Sequence, residues 1–142
     1  MSQHVEFTGE IDAPLEFVYQ VVADVTRYPE FLPDVQAVTQ EGDVVRMTVR
    51  LGLMDVSWRS RATFTPHESI HIELVDGPFQ EMDVHWAFAH QEGKTHVTYT
   101  TDFALLLPIP GVNRIASRAI AANAKATMHA FLRRVQALQQ DA

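Results

Sequence analysis

From Asp34 to Leu105 the chain alternates apolar and polar residues at period two, and only turn residues interrupt it. So long a stretch without a helical segment cannot build βαβ crossovers. Its strands must therefore pair antiparallel, with one face of the sheet covered and the other wet. Met54, Val56, Trp58, Ser60, Ala62 and Phe64 share one face of a strand, and Asp55, Ser57, Arg59 and Arg61 share the other. Val45, Met47, Val49 and Leu51 precede them in a strand that turns at Gly52-Leu53. After Pro66-His67-Glu68 the apolar positions are Ile70, Ile72 and Leu74, and after Asp76-Gly77-Pro78 they are Met82, Val84, Trp86 and Phe88. A two-residue turn at Glu92-Gly93 sets Trp86 opposite Tyr99, Phe88 opposite Val97 and Val84 opposite Thr101. Val35 to Glu41 reads as one more strand, with its register around Gly42-Asp43 left open.

Ahead of this meander, Val5, Phe7, Gly9 and Ile11 alternate with His4, Glu6, Thr8 and Glu10, as in an amphipathic first strand. Asp12-Ala13-Pro14 predicts a helix start, with Asp12 or Ala13 at the cap and Pro14 where its missing N–H costs nothing. Leu15, Val18, Tyr19 and Val22 form that helix's apolar face, which ends near Ala23-Asp24. Pro29 and Pro33 then allow only a short second helix or helical turn. Its Tyr28, Phe31 and Leu32 either plug one end of the core or line the mouth of a pocket.

The last third, from Leu107 to Gln140, is the one long helical stretch. Val112, Ile115, Ala116, Ala119, Ile120, Asn123, Ala126, Ala130, Phe131, Val135 and Leu138 fall at helical spacings on its expected inner face. The small residues there imply either close packing or a helix that roofs a hollow, because a filled core normally demands bulk. The fold class is therefore α+β, with elements in the order β-α-α-β6-α. A seven-stranded curved antiparallel sheet wraps around a long C-terminal helix, with residues 1–142 as one domain.

Several function classes are excluded. The chain has no cysteine and a net charge of −7, so thiolate chemistry is absent and a nucleic-acid backbone is not the expected partner. Its start carries no basic region followed by an apolar run, which together with the absent cysteines predicts a cytoplasmic protein. No nucleophile elbow, phosphate-binding glycine loop or metal motif is present, so no catalytic residue, metal or cofactor is expected. The histidines are scattered, and the predicted pairing sets His85 opposite Thr100 rather than opposite another ligand.

What remains is the inner sheet face. Met54, Trp58, Trp86, Phe88, Tyr99 and Phe103 share it with the polar Ser60, Gln80 and Thr101. These aromatics either interdigitate with the helix alanines or bound an apolar pocket with a few orienting groups. In the second case Phe31, Met54, Trp58, Ser60, Trp86, Phe88, Tyr99, Thr101 and Asn123 are the ligand-binding set. The segment Phe103 to Gly111 is very apolar for a loop. Its stretch Leu105-Ile109 is either buried against Phe31 and Leu32 or offered for transient membrane contact.

Tyr28-Pro29-Glu30-Phe31-Leu32-Pro33 and Asp76-Gly77-Pro78-Phe79, followed by a strand bearing Trp86, resemble two strings of the START-like, helix-grip superfamily. That superfamily includes polyketide cyclase/dehydrase-like and coenzyme Q-binding proteins, and the resemblance spans about Val5 to Leu138. It implies a hydrophobic cavity between sheet and C-terminal helix for a polyprenyl quinone, lipid or polycyclic aromatic. The expected role is a carrier or chaperone of such a hydrophobic small molecule. A polyketide aromatase/cyclase and a ribosome-associating toxin-like module are the alternatives the same family implies. After the second proline the string continues as Asp34-Val35, a departure from the family pattern that bears on quinone specificity more than on fold.

Overall fold

A computed structural model of the chain describes residues 3–32, 34–51, 53–105 and 112–140; in the last helix it describes the side chains of Arg118, Ala122 and residues 125–139. The elements run β1 (Gln3–Ile11), α1 (Leu15–Ala23), a 3-10 helix (Val25–Glu30), β2 (Val35–Glu41), β3 (Val44–Leu51), β4 (Met54–Thr65), β5 (Ser69–Asp76), β6 (Phe79–Gln91), β7 (Lys94–Leu105) and α2 (Val112–Gln140). All seven strands join one antiparallel sheet in the order β1-β7-β6-β5-β4-β3-β2. The helical segments between β1 and β2 carry the chain from one edge of that sheet to the other.

The predicted hairpin register holds. Trp86 stands opposite Tyr99, Phe88 opposite Val97 and Val84 opposite Thr101. At the turn, Glu92 (φ 51°) and Gly93 (φ 80°) both adopt the left-handed conformation that a two-residue hairpin needs. The register left open around Gly42-Asp43 is a regular two-residue hairpin, with Glu41 opposite Val44, and a bulge between Val35 and Ala37 breaks the alternation at the other end of β2.

Two further irregularities flank the Asp76-Gly77-Pro78 turn. One lies between Arg59 and Ser60 against β5, and the other between Phe79 and Glu81 against β7. The second overturns a sequence expectation. Gln80, assigned to the inner face by simple alternation, is exposed, and Phe79 is buried in its place. One inserted residue exchanges the faces of everything before it.

α1 buries Val18, Tyr19, Val21 and Val22. Pro14, expected at the first helical position, is itself the cap. Its ψ of 141° is extended, and its carbonyl accepts from the amides of Phe17 and Val18. A proline fits there because a cap residue needs no donor of its own. Thr95, fully buried, donates its hydroxyl to the Ala13 carbonyl at 2.6 Å and ties β7 to the start of α1. The 3-10 helix contains Pro29. Its Tyr28 is buried and donates its hydroxyl to the Val22 carbonyl, joining the two short helices.

α2 turns Met128, Ala130, Phe131 and Val135 inward, with Leu138 half-buried. Ala126 corrects the expected inner face, since it is exposed. Five residues before Phe131, it lies about 140° away around the helix. Thr127 and Met128 take the inward positions instead. Gly9 lets this helix approach β1 closely, for a Cβ there would stand 3.0 Å from Leu132 Cδ1.

Candidate functional site: a cavity beneath the C-terminal helix

The concave face of the sheet is not filled. Ile72 and Val84 sit on the two strands nearest its middle, yet both are only half-buried, as are Met47, Trp58 and Tyr99. Inward residues in mid-sheet keep accessible surface only where nothing packs on them. The space they face is a cavity of about 160 Å³. Its walls are strands β2 to β7, with Val25, Tyr28 and Leu32 at one side and Thr127 and Phe131 of α2 above.

Among the sequence-predicted ligand residues, Trp58, Ser60, Trp86, Tyr99 and Thr101 line this cavity together. Phe31 and Phe88 do not. Phe31 packs edge-on against Tyr28 and Phe131 at 6.0 and 5.2 Å between ring centroids, with the Arg134 guanidinium 5.1 Å from its own centroid. Phe88 lies behind Trp86, at 6.4 Å, and against Tyr19, at 5.3 Å, in the packed end of the core. Both are structural aromatics that back the cavity wall. The side chains of Met54 and Asn123 and the segment 106–111 lie outside the described residues, as does the side chain of Leu105.

Sequence reasoning left Tyr28, Leu32, Val45, Met47, Ile72 and Phe79 out of the ligand-binding set, and all of them line the cavity. The strand members were legible as inward-facing, but no pattern told a wall of a hollow from a packed core. Phe79 required the bulge, and Thr127 required the helical phase.

The wall chemistry is uniform. No described lining residue carries a charge, and the side chains with polar groups are the hydroxyl-bearing Tyr28, Ser60, Tyr99, Thr101 and Thr127 and the indoles of Trp58 and Trp86. The Tyr28 hydroxyl is committed to Val22, and burial pushes it far above the ordinary tyrosine range. Burial likewise pushes the Tyr99 hydroxyl up to about 12, against a smaller opposing effect of its hydrogen bond with Thr101. Tyr99 is therefore a neutral donor at every physiological pH. Ser60, 3% exposed, holds only a long 3.5 Å bond to the Val45 carbonyl.

The DGPF turn fixes one wall. Trp58 stacks edge-on with Phe79 at 5.4 Å, and Arg59 Nε reaches Asp76 Oδ2 at 2.9 Å. That hydrogen bond holds the exposed Asp76 carboxyl below its usual range.

On the outer face the histidine expectation needs one amendment. His85 does stand opposite Thr100, but on its other side it meets His71, whose ring stacks with it at 5.6 Å. His71 Nε2 in turn lies 2.6 Å from Asp83 Oδ1. Among the described residues no group of three His, Cys, Asp or Glu side chains is placed to hold a metal ion. Among them, too, no helix is long and apolar enough to cross a membrane.

The sequence profile of the polyketide cyclase / dehydrase and lipid transport family matches residues 11–131, which is most of the chain and every element that walls the cavity. The chain belongs to that family. The likeness of fold to solved structures is close. The Thermus thermophilus protein TTHA0849 superposes with a TM-score of 0.86 at 21% identity, over 96% of this chain and 99% of that one. The Zhui aromatase/cyclase from Streptomyces sp. R1128 superposes with a TM-score of 0.77 at 24% identity, over 95% and 92%. Both share its fold, as does a START superfamily protein from Mycobacterium smegmatis, with a TM-score of 0.80 at 19% identity over 95% of this chain and 98% of that one. In sequence, the chain is similar to the ribosome association toxin RatA of Pseudomonas aeruginosa, with 33% identity over 93 residues. That match covers 62% of this chain and 65% of the relative, so it spans less than two thirds of either.

Proposed function

We propose that the protein binds a hydrophobic small molecule, of the polyprenyl quinone, lipid or polycyclic aromatic kind, between sheet and C-terminal helix and acts as its carrier. The observation that carries this reading is an apolar cavity in mid-sheet whose described walls hold hydroxyls but no ionised group. Acid–base chemistry needs a group that can gain or lose a proton near neutral pH, and burial moves both wall tyrosines away from that range. Binding is thus favoured over catalysis. The family, polyketide cyclase / dehydrase and lipid transport, accommodates both.

The chain's two tryptophans, Trp58 and Trp86, both line the cavity, so their emission reports occupancy directly. Titration with ubiquinone, fatty acid or anthracene-type ligands is expected to change that emission saturably for at least one class. Val84→Phe, which places a ring in the hollow, is expected to abolish the change. Because it fills a void, it should also raise stability by about 0.5–2 kcal/mol. A Val84→Phe protein that binds as well as the parent rejects the cavity as the site.

A second reading rests on the 33% identity to the ribosome association toxin. Under it, overproduction of the protein lowers the fraction of joined ribosomes in a sucrose gradient. An unchanged gradient at high expression rejects it.

A further inference from the structure

The wall chemistry narrows the ligand beyond hydrophobicity, and the narrowing rests on the binding function proposed above. A cavity of about 160 Å³ is the size that, lined with apolar side chains, takes up a single aromatic ring; the engineered benzene-binding cavity of about 150 Å³ is the reference case. The ring-sized space is not evenly apolar. Tyr99 and Thr101 are neighbours on the inner face of β7, and both line the cavity; Val84 and Trp86 flank them on β6. Ser60 stands on β4, across the concavity and three strands away in the sheet order. The Tyr99–Thr101 pair is thus a local polar spot on an apolar wall. Each of the two hydroxyls carries a proton that it can donate to an acceptor in the cavity.

No described lining side chain is cationic, and the Arg134 guanidinium is engaged with Glu30 at 3.0 Å and with the Phe31 ring, neither of which lines the cavity. Among the described lining residues an anion would exchange its hydration for neutral hydroxyl and indole donors alone, which does not offset the cost of burying a charge. We infer that the cavity selects a neutral, single-ring group bearing one oxygen acceptor, seated with that oxygen against Tyr99 and Thr101, and rejects ionised carboxylates of the same size. Whatever longer ligand the protein carries, this ring is the part it recognises.

Three fluorinated probes separate the possibilities by 19F NMR titration at pH 7: 4-fluorophenol, fluorobenzene and 4-fluorobenzoate. The expected order is 4-fluorophenol about fivefold tighter than fluorobenzene, the equivalent of one hydrogen bond, with 4-fluorobenzoate showing no saturable shift. In Tyr99→Phe/Thr101→Val the phenol preference should vanish while fluorobenzene still binds, and that retained binding proves the variant folded. Equal affinity for fluorophenol and fluorobenzene in the parent overturns the inference. So does binding of 4-fluorobenzoate at the strength of 4-fluorophenol, or a phenol preference that survives in the double variant. If all three probes fail while a quinone or lipid still changes tryptophan emission, the ring selectivity falls and the carrier function stands. If every ligand fails, both fall.

Discussion

Phe131→Ala is expected to cost about 3–5 kcal/mol of stability, the range for deleting a large aromatic from a core. Phe131 is 2% exposed, and three rings meet it edge-on: Tyr28 at 5.1 Å, Phe31 at 5.2 Å and Trp86 at 5.1 Å. These rings come from the 3-10 helix, the turn after it and β6, so one α2 side chain joins three separate parts of the fold. Edge-to-face pairs each add about 0.5–1.5 kcal/mol beyond area burial, which argues for the upper part of the range. Domains of this kind are stable by only about 5–15 kcal/mol, so the variant should sit near its folding threshold. Urea unfolding followed by circular dichroism measures the loss. A shift worth less than about 1 kcal/mol would show that α2 is held to the sheet by something other than this cluster.

Gly77→Ala should cost about 2–4 kcal/mol through two separate effects, backbone strain and overlap. At φ 152° the glycine occupies a conformation that side chains rarely tolerate. A methyl there would lie 2.5 Å from Trp58 Cβ and 3.2 Å from Trp58 Cα. Neither atom is the end of a flexible side chain, so strand β4 itself must shift. Trp58 lines the cavity, hence the substitution should also weaken ligand binding in proportion to that shift. Gly42→Ala is the control, because its φ is 61° but nothing lies within 4 Å of the added methyl. It should cost about 1 kcal/mol, the strain alone, and leave binding untouched. Equal losses at the two glycines would show that contact with Trp58 is unimportant.

Much of the fold was legible because the two periodicities do not overlap. Alternation over β4, β6 and β7, pinned by one two-residue turn, suffices to set Trp86 beside Tyr99. Where a residue is inserted, alternation misreads the face, and Gln80 is the casualty. The helix face failed at Ala126 for a related reason. Alanine is compatible with either side, so a run of alanines does not define the phase as Met128, Phe131 and Val135 do. The site was half legible. Trp58, Ser60, Trp86, Tyr99 and Thr101 share an inward register, and register can be counted. Phe31 and Phe88 were misplaced because whether an inward ring faces a void or another ring depends on packing between elements far apart in sequence. A string of residues does not encode that locally.

The pairing of β1 with β7 constrains how the molecule can come into being. His4 Nδ1 meets Asp102 Oδ1 at 2.6 Å across 98 positions of chain, and Gln3 to Ile11 find all their ladder partners between Thr95 and Phe103. The hairpins β3 to β6 join neighbours and can close early. The first strand has nothing to pair with until almost the whole sheet has been synthesised. Contacts of such separation slow folding, since the intervening loop must be ordered before they form. During translation the apolar side of β1, with Val5, Phe7 and Ile11, therefore waits unpaired while the rest of the sheet emerges. A chain that stops short of β7 leaves that strand without its ladder.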